Sequence, residues 1–143
     1  GTSGRKVLVL FTDGEDSRSE LMLPEVMQLL RSSRVTVYPI CFPSFAPGSS
    51  KAVKARAVLQ QFADMTGGAI FNPSQSRELA AIYQKILDEL GAQYVLGYVS
   101  DNQKADGKLR RLVVDLPNRK DLKVRHRTSY IVKPKDDGSA AAR

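Results

Sequence analysis

The sequence has one cysteine, one histidine and no tryptophan, and each shortage removes a class of function. A single cysteine cannot close a disulfide within the chain, and Cys41 sits in an apolar stretch that suits a small buried hydrophobe. The lone histidine, His126, has no cysteine or carboxylate around it at zinc spacing. With one histidine and no G-x-S-x-G, a Ser-His-Asp hydrolase has no support. No P-loop or G-x-G-x-x-G is present, which removes the common nucleotide cradles. No apolar run approaches the roughly 20 residues that span a bilayer. No secretory leader is recognisable in the sequence, which excludes nothing about export. The chain opens Gly1-Thr2-Ser3-Gly4 without an initiator methionine, so the expectation is a processed chain or a fragment with a flexible lead-in.

What is present suits one globular domain. The chain has 143 residues, 42% of them hydrophobic and 26% charged, enough to bury a core of its own. Its net charge of +7 is unevenly placed. Residues 104–135 hold eleven Lys/Arg against three Asp/Glu, while the rest is close to neutral. That bias favours acidic partners, or it is a solvated β-surface whose charge keeps strand edges from aggregating. Arg110, Arg111, Lys123, Arg125 and Arg127 form the candidate basic surface. They match no nucleic-acid module, so nucleic acid is not an expected partner.

The pattern along the chain reads as alternating strands and helices. Residues 7–11 are five apolar residues in a row, which suits a strand buried on both faces. They run directly into Thr12-Asp13-Gly14-Glu15-Asp16, an acidic cluster at the strand's carboxyl end, where open α/β sheets bind ligands. Residues 17–19 form a loop with capping potential. Pro24 suits the first turn of a helix that presents Val26, Leu29 and Leu30 on one face and ends near Ser33. A second buried strand spans 35–42, with Pro39 implying an edge position or a bulge. Residues 43–50 read as a loop. A helix over 51–66 turns Val53, Ala57, Val58, Phe62 and Met65 to the core and stops at Gly67-Gly68. A short strand at 69–71 follows. Ser76 is the expected N-cap of a helix over 77–90 with Leu79, Ile82, Tyr83, Ile86 and Leu90 on one stripe. Successive strand–helix units imply a parallel sheet with right-handed crossovers.

After Gly91 the period changes. Residues 93–99, 109–116, 122–127 and 130–132 alternate or run apolar between turn signals at Asp101-Asn102, Asp106-Gly107 and 118–121. This predicts an antiparallel meander with one wet face. The domain plan is an α/β unit over 1–91, a β extension packed on it over 92–134, and a disordered tail over 135–143.

These motifs carry a resemblance. Val7-Leu8-Val9-Leu10-Phe11-Thr12-Asp13-Gly14 resembles the fourth strand and metal-site loop of a von Willebrand factor A-type (VWA) domain. Thr66-Gly67-Gly68 ahead of Ile70-Phe71 resembles the approach to the last VWA strand. Gln93-Tyr94-Val95-Leu96-Gly97-Tyr98, the Asp106-Gly107 turn and the following strands resemble the extension found in the VWFA-related, acidobacterial-type domain of bacterial secreted proteins. The resemblance spans about residues 5–134. It implies a Rossmann-like sheet of which this chain holds the C-terminal half. It also implies a non-enzymatic protein-binding or adhesion module, located outside the cell or in its envelope.

In such a domain the metal-ion-dependent adhesion site (MIDAS) takes an Asp-x-Ser-x-Ser from the first strand, a threonine from a later loop, and the aspartate of Thr-Asp-Gly. Only Asp13 carries over as a metal ligand, because Asp16-Ser17-Arg18-Ser19 echoes the motif in the wrong place. Glu15, Asp16 and Ser17 are the candidate partner-binding residues beside it. Mg²⁺ or Ca²⁺ is therefore expected in the complete domain and not on this chain alone, since one carboxylate does not fill an octahedral shell. The expected partner is a protein ligand, another subunit, a second copy, or the missing half of the fold, which would otherwise leave the first strand with a bare apolar edge. Two further readings stay open: assembly through open strand edges and the basic surface without metal, and an enzyme acting on phosphate esters through the acidic loop.

Overall fold

The computed structural model describes residues 4, 6–13, 20–42, 48–102 and 104–132. The expected lead-in at 1–3, most of the acidic loop, the 43–47 segment and the tail beyond 132 lie outside the described residues. The architecture is mixed α/β, with a two-stranded parallel sheet, helices, and a separate antiparallel strand pair.

Strand β1 (Lys6–Thr12) and strand β2 (Val35–Cys41) pair in parallel, with Lys6 opposite Val35 and Thr12 opposite Cys41. Helix α1 (Leu23–Ser32) connects them. It starts where the sequence predicts: Pro24 stands in the first turn, and the Glu25 carboxylate accepts the Met22 backbone N–H at 2.7 Å. Helix α2 (Ser50–Thr66) is capped by Ser49, whose hydroxyl accepts from the Ala52 N–H. A short 3₁₀ turn, Ser76–Glu78, leads into helix α3 (Leu79–Gly91). The expected cap at Ser76 is replaced by Glu78, whose carboxylate takes the backbone N–H groups of Ser74 and Gln75.

β2 is the spine of the core. Val37, Tyr38, Ile40 and Cys41 are all buried, and Tyr38 and Ile40 meet Ile86 of α3 together with Val9, Phe42, Phe71, Ile82 and Leu90. Burying that many branched and aromatic side chains on one strand is what holds the parallel pair together. The free thiol of Cys41 is buried, as its apolar context predicts.

Pro39 lies on an edge strand of the two-stranded sheet, as expected, and causes no bulge. It pairs in regular register with Leu10. Backbone N–H groups alternate sides along a strand, and the Phe42 N–H reaches Thr12 in β1. Position 39 therefore aims away from β1, and the ladder with β1 loses nothing to the proline.

The far side of β2 is satisfied by unlike groups. The Val35 carbonyl accepts from Arg127 at 3.0 Å, and the Val37 N–H donates to the Thr66 hydroxyl at 3.0 Å. Pro39 has no N–H to place. The Pro39 carbonyl and Cys41 N–H both bond Phe71, each at 2.8 Å. The predicted third strand at 69–71 is consequently reduced to one bridge, Ile40 to Phe71. A longer ladder would need a donor at Pro39, and it has none.

The Thr66-Gly67-Gly68 stop has a separate role for each residue. Thr66 is buried, donates to the Phe62 carbonyl at 2.8 Å and accepts from Val37. Gly67 ends α2 at φ +82°, in the left-handed region where glycine carries no steric penalty. Gly68 lies so close to β2 that a Cβ there would stand 1.9 Å from the Val37 carbonyl oxygen.

Four burial and strand expectations change. The first strand forms as predicted but is not buried on both faces: Leu8 is 45% and Phe11 47% exposed, because among the described residues no helix packs extensively on β1. The core stripe of α2 is displaced toward its C-terminus, onto Leu59, Ala63, Met65 and Thr66. Val53 is 59% exposed and Ala57 is exposed too. On α3, Tyr83 of the predicted stripe is exposed. The meander shrinks to strand β3 (Leu109–Arg111) against strand β4 (Ser129–Ile131), antiparallel, with Arg110 opposite Tyr130. Residues 93–99 and 122–127 join no ladder; past the Leu112 N–H, which bonds the Thr128 carbonyl at 2.9 Å, the Val114 N–H goes to the His126 ring instead of to a backbone carbonyl.

Candidate functional site

The carboxyl ends of β1 and β2 and the residues after Phe71 converge on one cleft of about 810 Å³. Asp13, the residue after β1, is on its rim. Cys41 and Phe42 form part of the floor, and Asn72 and Ser74 contribute from the bridge side. The opposite wall is the first half of α2, where Ala52, Val53, Arg56 and Gln60 recur at helical spacing. Val53 and Ala57, expected in the core, thus line the cleft instead.

The volume falls in the range of ligand-binding clefts, and the lining of small apolar side chains with a few polar groups is of the same kind. The charged groups act on the floor thiol. Burial pushes the Cys41 thiol up, Arg56 pulls it back, and Asp13 adds to the rise. A buried thiol held protonated in this way is a poor nucleophile. Among the described residues of the cleft, none form a nucleophile–base pair. His126, the one histidine, is elsewhere: its Nε2 accepts from the Val114 N–H at 3.4 Å, and its Nδ1 lies 2.8 Å from the Arg127 carbonyl.

Asp13 is the one candidate metal ligand that can be located. Glu15, Asp16 and Ser17 lie outside the described residues. Among the described residues no group of three or more His, Cys, Asp or Glu side chains could hold a metal ion. The described cleft offers one carboxylate, the neutral oxygens of Gln60, Asn72 and Ser74, and a guanidinium. Such a set does not fit Mg²⁺ or Ca²⁺, which take six or more oxygens with carboxylates prominent among them.

The candidate basic surface divides. Arg127 turns inward, donating from Nη1 to the Leu30 and Arg31 carbonyls at 3.1 and 3.3 Å and from Nη2 to Val35. It closes the end of α1, where a cation also suits the helix dipole. Desolvation by burial lowers its pKa. Arg125 pairs with Glu89 of α3 and reaches the Gly68 carbonyl. Arg110 bonds Asp106 and the Lys104 carbonyl. Arg111 and Lys123 are exposed. Arg125 and Arg127 therefore fasten the extension to the α/β unit.

Sequence reasoning did not single out Arg56, Gln60, Asn72 or Ser74. The signal available for them is position: two stand in the first half of the helix after β2, and two follow the last apolar run. Thr66 was likewise not assigned its hydrogen-bonding role.

No family model matches the sequence, and no curated protein matches it. Among solved structures, the chain is similar to the crystal structure of an uncharacterized membrane spanning protein from Vibrio fischeri, at 24% identity and a TM-score of 0.49. The alignment covers 62% of this chain and 48% of that one, so the match spans about half the length of the Vibrio fischeri protein. No helix among the described residues is long and apolar enough to cross a membrane.

Proposed function

We propose that this chain is the C-terminal half of a VWA-type module that binds a protein partner at the carboxyl edge of its sheet, without catalysing a reaction. The observation that carries this reading is Asp13 at the end of β1, on the rim of an open cleft lined from β2, α2 and the residues after Phe71. The parallel β1–β2 pair with α1 between them supports the same reading. A location outside the cell or in the envelope is part of the same proposal and is supported by the same resemblance.

The described side chains do not make a divalent-metal site by themselves, so in this proposal Asp13 is one ligand of several. The others belong to the complete domain. There, an ion with an open position would be completed by a carboxylate of the partner, which suits a metal that prefers oxygen ligands.

A second reading is supported by one observation, the exposed apolar edge of β1. In it the chain assembles through strand edges and metal is irrelevant. Calorimetric titration with Mg²⁺ and Ca²⁺ separates the two. A chain extended at its N-terminus by the rest of the domain binds the ion, Asp13→Ala abolishes binding, and the 143-residue chain binds neither ion measurably. Equal binding by the extended chain and its Asp13→Ala variant would remove Asp13 from the site. No binding by the extended chain would favour the metal-free reading.

A further inference from the structure

Arg56 stands on the α2 wall of the carboxyl-edge cleft, and among the described residues it makes no hydrogen bond and no ion pair. Its charge reaches the floor of the cleft, where it pulls the Cys41 thiol down against the effect of burial. On the facing wall, the Asn72 amide and the Ser74 hydroxyl also have no hydrogen-bonding partner among the described residues. Three donor side chains with nothing to donate to therefore face one cleft from two sides. Arg56 is the one cation among the described lining residues, and Phe42, Ala52 and Val53 make much of the remaining surface apolar.

We infer that Arg56 receives the carboxylate of an acidic side chain of a partner protein directly, with Asn72 and Ser74 donating from the facing wall and no metal between them. A guanidinium fork matches a planar carboxylate with two parallel hydrogen bonds. Charge favours a carboxylate over a phosphate. Asp13 on the rim offsets the single cation, so a monoanion is accepted where a dianion meets net repulsion. Size favours a side chain over a free small acid. A cleft of about 810 Å³ is left mostly unfilled by a short acid, whereas a carboxylate carried on a peptide brings backbone to fill the rest. The inference rests on the carboxyl-edge reading for the place of contact and does not rest on the metal.

The test is an NMR titration of the 143-residue chain, in EDTA, with N-acetyl-glutamate N-methylamide, a glutamate side chain flanked by peptide bonds. Signals of Arg56, Asn72 and Ser74 shift and saturate together, with a Kd on the order of millimolar. The uncharged glutamine analogue of the probe does not bind. Arg56→Gln weakens binding at least about tenfold. Arg56 is exposed, and an unchanged circular dichroism spectrum shows that the variant folds. Lys54→Gln, which removes an exposed cation of the same helix outside the cleft lining, leaves binding unchanged. Asp13→Ala strengthens binding about two- to fivefold by removing a like charge. That is the opposite of the loss of ion binding expected for the same variant, so the two readings fail separately. Absence of a saturable shift up to about 0.1 M probe overturns the inference. So does wild-type affinity in Arg56→Gln. Tighter binding of inorganic phosphate overturns the carboxylate assignment, and tighter binding of free butyrate overturns the assignment to a protein side chain.

Discussion

Replacing Arg127 with methionine removes three hydrogen bonds at once: two to the last-turn carbonyls of α1 and one to the first carbonyl of β2. The methionine keeps most of the aliphatic stem, so the loss is mainly polar. A hydrogen bond from a charged donor contributes about 1.5–3 kcal/mol, and a cation near a helix C-terminus adds about 0.3–1 kcal/mol. The three bonds share one half-buried guanidinium, and water reaches part of the site. The terms therefore do not add in full, and the expected destabilisation is about 2–3 kcal/mol. For a domain of this size that lowers the melting temperature by roughly 6–12 °C. Urea denaturation followed by circular dichroism reads it as a lower midpoint at unchanged slope. Lys123→Met, which removes an exposed cation from the same segment, stays within about 0.5 kcal/mol of wild type. Arg127→Lys restores less than half, because one ammonium cannot span both the helix end and the strand. If Arg127→Met unfolds at the wild-type midpoint, Arg127 does not fasten the extension, and its place on a partner-binding surface is open again.

Other perturbations follow from the same contacts. Thr66→Val keeps the shape of the side chain but orphans the buried Val37 N–H, at a cost of about 1–3 kcal/mol in the same urea assay. Gly68→Ala drives a methyl group into the Val37 carbonyl oxygen and should cost about 3 kcal/mol or more, so it is expected to lower the folded yield. Asp106 accepts the Lys108 N–H at 3.1 Å, and that bond, followed by Arg110, holds its carboxyl below the usual range. The folded state thus binds this proton less readily than the unfolded one. The contribution is present above the unfolded value of about 3.9 and is lost as pH falls through the folded value. An NMR titration of the carboxyl carbon should show the depressed midpoint, and replacing Lys108 with proline, which removes the donor, should raise it.

Much of the secondary structure was legible, because local pattern decides it. Val35 to Cys41 shows no alternation, is buried from Val37 onward, and is the strand that carries the core. Pro24 and Gly67 mark helix ends by their own backbone chemistry. What was not legible depends on neighbours. The apolar run of β1 states a preference for burial, but whether anything covers it is a property of the whole sheet. The same holds for residues 93–99, whose composition favours a strand and whose surroundings supply no partner. Composition also counts cations without saying which way they point. Arg111 and Arg127 are alike in sequence, yet one is exposed and the other is spent on carbonyls of α1 and β2. At the cleft, Asp13 was legible because a motif carries it. Arg56, Asn72 and Ser74 reach the same place through the fold and through no local signature.

The mixed satisfaction of β2 has a consequence for growth of the sheet. On the side away from β1, a guanidinium takes the Val35 carbonyl, a hydroxyl takes the Val37 N–H, Pro39 has no N–H, and a single bridging residue takes the Pro39 carbonyl and the Cys41 N–H. An incoming strand would have to displace Thr66 and Arg127 and would still meet Pro39, which has no N–H to offer. That flank is closed by chemistry and needs no covering element. The sheet therefore has a direction: further strands, whether from the same polypeptide or another, can join only beyond β1.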